Sequence, residues 1–194
     1  MKANKYIRIL CEGEKTEPKY FRGIIKANRI RGARVVKPKD NSPLGIVKAA
    51  KEEIKIAKKS KIPDSEIEVW AVFDRDQHAK LPDAFQMARD NRIKVAFSNV
   101  CFEFWVLLHY EKSTKPFANC DEIIKYIRVN YDTDYLKKND HYEKLYDKID
   151  IAINNNEWLL NKHWKFELEK GTPIYDINSY TDVYHLVAFL KNLN

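Results

Sequence analysis

Carboxylates gather directly after two apolar runs, Ile7-Arg8-Ile9-Leu10-Cys11-Glu12-Gly13-Glu14 and Val69-Trp70-Ala71-Val72-Phe73-Asp74-Arg75-Asp76. Grouped carboxylates repel one another unless a cation lies between them, and hard oxygen ligands of this kind suit Mg²⁺, or Mn²⁺ in its place. Such a set can activate water and stabilise the charge of a phosphoryl transition state. Asp74 and Asp76 share a face if the strand continues, and both can grip one ion if the chain turns at Arg75. Gly13 permits a sharp turn with close backbone approach. A single acid at a strand end is ordinarily a solvated turn former. Three of them at two strand ends, beside a basic block, read as a site for one or two metal ions. Glu12, Asp74 and Asp76 are therefore the expected catalytic and metal-binding residues.

To meet, these acids need two strands of one sheet ending at the same edge. The apolar runs at 6–11 and 66–73 are rich in β-branched and aromatic residues, as buried parallel strands are. Short strands follow at 33–36 and 93–97. Between them, helical spacing covers 19–28, opened by Pro18 and closed before Gly32, and 43–60, where Ser42-Pro43 is a strong start signal. Leu81-Pro82 opens another helix through Arg89. Strands alternating with helices indicate βαβ units, a largely parallel four-stranded sheet, and ligands at its carboxyl edge. After Ser98-Asn99 the pattern changes. Residues 102–110 are almost wholly apolar apart from Glu103 and the terminal His109 and Tyr110, 121–160 show helical spacing with a mixed surface, 166–179 are irregular, and 181–193 form a closing helix. The expected organisation is one domain: an α/β core over 1–110, a helical insertion over 111–165, and a C-terminal segment, 166–194, whose helix packs back on the core.

The 194 residues carry a net charge of +7 with 44% hydrophobic and 12% aromatic residues, which argues for a packed core and an anionic partner. Between Glu17 and Asp40 stand Lys19, Arg22, Lys26, Arg29, Arg31, Arg34, Lys37 and Lys39 with no acid. With Lys15, Arg75 and His78, this block (Lys39 apart) is the expected nucleic-acid contact surface. Lys48, Lys51, Lys55 and Lys58 share a helix face that reads as solvated or, alternatively, as a phosphate stripe. Tyr131, Tyr135, Tyr142 and Tyr146 are expected to be exposed and open to base stacking, and His109 to be a satisfied core histidine. Cys11, Cys101 and Cys120 show no paired spacing and are expected as unpaired, buried small side chains. No run is long enough for a membrane span or a signal-peptide core, so a cytoplasmic location is expected. Neither a GxxxxGK[ST] loop nor a GxGxxG run is present, which argues against ATP hydrolysis by this chain itself.

Cys11-Glu12-Gly13-Glu14-Lys15-Thr16-Glu17, Phe73-Asp74-Arg75-Asp76, Ser98-Asn99-Val100-Cys101-Phe102-Glu103-Phe104-Trp105 and Asn178-Ser179-Tyr180-Thr181-Asp182-Val183-Tyr184 together resemble the RloB family. The Glu-Gly pair and the Asp-x-Asp also resemble the wider Toprim fold of topoisomerases, primases and nucleases. The resemblance implies a Toprim-like three-layer sandwich and an anti-phage defence role beside an AAA-type ATPase. It also implies that Glu12 is a metal ligand or general acid/base and that Asp74 and Asp76 are a metal-binding pair. Glu14, Glu17 and Glu103 are family-pattern acids that complete the site. Val100 stands where that pattern has proline. The expected function is a Mg²⁺-dependent nuclease acting on RNA, including tRNA, or on DNA, restrained or triggered by the ATPase, with a homo-oligomer allowed. Two alternatives are a non-catalytic nucleic-acid or partner-binding module and, ranked below it, a primase-like phosphoryl transferase.

Overall fold

The computed structural model describes residues 5–75 and 80–193. Asp76 and His78 lie outside the described residues. Tyr6–Cys11 (β1), Ala33–Val36 (β2), Ile67–Asp74 (β3) and Lys94–Asn99 (β4) pair in parallel in the order β2-β1-β3-β4. Tyr180–Thr181 (β5) lies antiparallel beside β4 and makes the sheet five-stranded. Ile7, Ile9, Leu10 and Cys11 of β1, and every residue from Val69 to Phe73, are buried, as the unbroken apolar runs require of strands covered on both faces.

The fifth strand corrects the four-strand expectation, which had placed Thr181 in the closing helix. Two residues carry no periodicity to read. The strand exists because β4 has a free edge: Ser98 pairs with Thr181 and Asn99 with Tyr180, and the Ser98 and Thr181 hydroxyls lie 3.1 Å apart.

Thr16–Ala27 (α1), Pro43–Lys59 (α2) and Leu81–Asp90 (α3) connect the parallel strands. The first starts earlier than Pro18 suggested. Proline is tolerated there because the first turn of a helix has no backbone partner for its N–H groups. The Ser42 hydroxyl accepts from the Gly45 N–H at 3.1 Å and caps α2 as expected. Right-handed crossovers place α1 on one face of the sheet and the packed pair α2 and α3 on the other. The remaining α-helices among the described residues are Glu103–Leu107 (α4), Cys120–Asn130 (α5), Tyr142–Leu145 (α6), Ile149–Trp158 (α7), Lys165–Glu169 (α8) and Tyr184–Lys191 (α9), the last packing against α1, α7 and β4. No helix among the described residues is long and apolar enough to cross a membrane.

Residues 111–165 share one buried cluster with the sheet through Ile123, Ile127, Tyr135, Leu145, Ile149 and Leu159. Tyr135 and Tyr142 are therefore buried, not open to bases, whereas Tyr131 and Tyr146 are exposed as expected. Tyr135 stacks on His141 at 4.2 Å, and Tyr142 meets Tyr20 edge-on at 6.0 Å. Gly23 makes room for the second contact, since a Cβ there would fall 2.2 Å from the Tyr142 ring. His109 is buried, with Nε2 3.0 Å from the Tyr20 hydroxyl and Nδ1 3.0 Å from the Trp105 carbonyl.

Cys101 and Cys120, expected to be unpaired, form a disulfide with a Cα–Cα separation of 5.7 Å. A sequence separation of 19 carries no signature. The pair forms because the chain after α4 returns to start α5 beside the end of β4. Cys11 is free and buried.

Candidate active site

In the order β2-β1-β3-β4 the chain leaves β1 toward one side and returns to pair β3 on its other side. The crevice at the carboxyl ends of β1 and β3 is thus the topological switch point, where open α/β sheets bind ligands. Cys11 pairs with Val72, and the Glu12 N–H continues the ladder by donating to the Val72 carbonyl at 2.9 Å. Glu12 Oε2 then accepts from the Asp74 N–H at 2.9 Å. The two acids read from separate motifs are therefore locked side by side by backbone register.

Gly13 turns the chain away at once. A Cβ on it would lie 2.0 Å from Glu17 Oε2, so the glycine is what lets the Glu17 carboxylate fold back against the loop. The first turn of α1 buries Thr16 and Glu17. Glu103, the first residue of α4, is 1% exposed and enters from the β4 side. Glu12, Glu17, Asp74 and Glu103 line one cavity of about 250 Å³, with Lys137 and Thr16 on its wall.

Burial and mutual repulsion dominate this cavity. The Glu17 carboxyl is pushed up to about 7, first by burial and then by the charges of Glu103 and Glu12. Asp74 is held well above the usual carboxylate range by burial, then by Glu17, Glu103 and Glu12. Glu103 is raised by burial, even though Lys137 opposes the rise. Burial acts to lower the Lys137 ammonium, but Glu103, Asp74 and Glu17 outweigh it and hold its pKa up. Its Nζ lies 3.3 Å from Glu103 Oε2.

Lys137 comes from the connection between α5 and α6, which is strapped across α1. The Thr16 hydroxyl donates to the Lys137 carbonyl at 2.9 Å, and Lys19 Nζ donates to the Lys138 carbonyl at 2.6 Å. Neither Lys137 nor Thr16 stood out in the sequence. Lys137 belongs to no motif and lies far along the chain from every acid it faces, so only the fold reveals it. Glu17 was visible solely through the family pattern.

The other expected site residues divide by position. Glu14 reaches the same cavity at its rim, exposed and ion-paired with Lys37 at 2.6 Å. Lys15 lines the same cavity, and Lys19 is tied to the strap beside it. Arg75 directs its guanidinium to within 3.8 Å of Asp176, toward the β5 side. Arg22 is exposed farther along α1, and Arg34 projects from β2. Lys26, Arg29 and Arg31 sit at the other end of the molecule. They surround the turn before Gly32, whose carbonyl accepts from the Ile7 N–H at the start of β1. The basic block is thus split between the two edges of the sheet, because a helix rises about 1.5 Å per residue and α1 carries the chain from one edge to the other.

A family model described as RloB-like protein matches residues 7–190, nearly the whole chain, and the protein belongs to that family. No curated protein and no solved structure matches it.

Proposed function

We propose that this RloB-like protein is a divalent-metal-dependent nuclease with a Toprim-like arrangement, cutting phosphodiesters of RNA, including tRNA, or of DNA in anti-phage defence. The observation that carries this is the convergence of four carboxylates on one switch-point cavity with the pKa values of Glu17, Asp74 and Glu103 raised. That is the electrostatic signature of a set built around a cation.

The donors fit Mg²⁺ or Mn²⁺. They are carboxylate oxygens, hard and crowded, at a crevice open to solvent. Glu12 and Asp74 would hold the ion, with Glu17 or Glu103 completing the set. Asp76 follows Asp74 in the motif. When bound, the metal supplies positive charge to the phosphodiester and lowers the pKa of water.

This chain's own residues do the rest. The Asp74 N–H fixes one Glu12 oxygen and so holds that carboxylate beside Asp74. A carboxyl poised near 7, such as that of Glu17, is suited to proton transfer at neutral pH. Lys15 and Lys19 lie where they can take backbone phosphates at the cavity mouth. An AAA-type ATPase partner, implied by the family, would set when the site acts.

The test is incubation of the purified chain, alone and with that ATPase, with labelled tRNA, other RNA and DNA in Mg²⁺ or Mn²⁺. Wild type is compared with Glu12→Ala and with Asp74→Ala/Asp76→Ala. Discrete products that vanish in both variants are expected. Retained binding without cleavage by any form of the protein would replace the nuclease with a binding module.

A further inference from the structure

Cys101 from the turn after β4, Glu103 from the start of α4 and Cys120 from the start of α5 meet at one corner behind the carboxylate cavity. Their sulfur and carboxylate oxygen atoms all lie within 4.8 Å of one another. Cys101 and Glu103 are buried and Cys120 is partly buried. With the cysteines joined, Glu103 Oε2 sits 3.0 Å from Cys120 Sγ, where a disulfide has no proton to offer it. A thiol in that place donates to the carboxylate. Two thiolates and a carboxylate are a ligand set for a borderline-soft divalent cation, not for Mg²⁺. Lys137 Nζ lies 3.3 Å from the same oxygen and must give way when a cation binds there.

We propose that the dithiol form binds one zinc-type cation through Cys101, Glu103 and Cys120, and that the disulfide is the closed, metal-free form of the same site. Opening it needs an external dithiol. The protein S–S bond takes up two electrons and two protons, the sulfurs become thiols, and the reductant becomes a disulfide. The cation then displaces both thiol protons to solvent. Three protein ligands leave the fourth tetrahedral position open. Because Glu103 also lines the carboxylate cavity, occupancy by this cation withdraws one carboxylate from the hard-metal set. The proposal does not require that the cavity cleave nucleic acid.

The experiment uses the full chain, reduced with a dithiol under anaerobic conditions, freed of metal and desalted. It is titrated with Zn²⁺ against a chromophoric chelator and with Cd²⁺ while the ultraviolet thiolate-to-cadmium absorption is followed. One ion per chain and a thiolate band are expected. Both should be absent from the same protein oxidised to the disulfide, a control that needs no substitution. They should also be absent from Cys101→Ser/Cys120→Ser, in which Cys11 remains. Glu103→Gln should keep the band and weaken Zn²⁺ binding by about tenfold or more. Reduced wild type without zinc or the cadmium band, or equal binding by the oxidised protein or the double serine variant, would overturn the proposal.

Discussion

The two edges of the sheet carry comparable amounts of charge and handle it in opposite ways. At the amino edge a groove of about 500 Å³ is lined by Lys51, Lys55, Lys58 and Arg92, with Asp64 and Asp90 among them. Opposite signs alternate there and the pairs are exposed: Lys55 meets Glu52 at 2.6 Å and Lys58 meets Asp64 at 3.2 Å. Exposed pairs of this kind cost little to form and contribute little. At the carboxyl edge four acids are pressed together, three with raised pKa values, and Lys137 reaches in from a distant connection. Size and charge alone would favour the amino edge as a binding site. The crowding of like charges singles out the carboxyl edge, because such an arrangement is costly unless a ligand completes it.

The largest expected effect is on activity. Asp74→Asn should lower metal-dependent cleavage about a thousandfold or more, since a catalytic metal contributes several kcal/mol. The same substitution should raise the thermal midpoint of the metal-free protein, because it removes a crowded, desolvated charge. A lowered midpoint would mean the cavity is not electrostatically strained, and the contrast between the edges would collapse.

The pH dependence of stability comes next. The Glu17 carboxyl moves from 4.5 to about 7 on folding, and that of Asp182, half-buried and accepting from the Phe97 N–H, moves from 3.8 to about 7. The folded state therefore binds more protons than the unfolded chain between those values. Stability is fully present below the unfolded pKa values and is lost as pH rises through about 7. Chemical denaturation of metal-free protein should show the loss, on the order of 1.4 kcal/mol per pH unit for each group. Mn²⁺ should restore the Glu17 share and leave that of Asp182, which lies outside the cavity. A flat profile without metal would refute this account.

Smaller effects separate the edges directly. Lys137→Met leaves the buried Glu103 carboxylate without its ammonium and should cost roughly 1–3 kcal/mol in metal-free protein near pH 8. Lys58→Met, at an exposed pair of the amino edge, should stay within about 0.5 kcal/mol. Equal costs for the two lysines would erase the distinction drawn between the edges.

Much of the molecule was legible because local patterns dictate it. Unbroken apolar runs ending in acids place Glu12 and Asp74 at strand ends, Ser42-Pro43 starts a helix, and alternation of the two element types calls for parallel pairing. The sequence misplaced Tyr135 and Tyr142, since helical spacing does not say what a turn will fold against. It also passed over β5, which is a partner for an existing edge and not an autonomous strand.

What the sequence determined by itself, then, is which residues stand at strand ends and which family the chain belongs to, since both rest on neighbours in the chain. Tertiary structure alone decided that Glu17 and Glu103 join Glu12 and Asp74, and that Lys137 faces them. It alone paired Cys101 with Cys120 behind the cavity and carried Lys26, Arg29 and Arg31 of the basic block to the far edge. Those outcomes depend on strand order and on where long connections return, and free energies of that kind arise from contacts between distant segments, which no local spacing encodes.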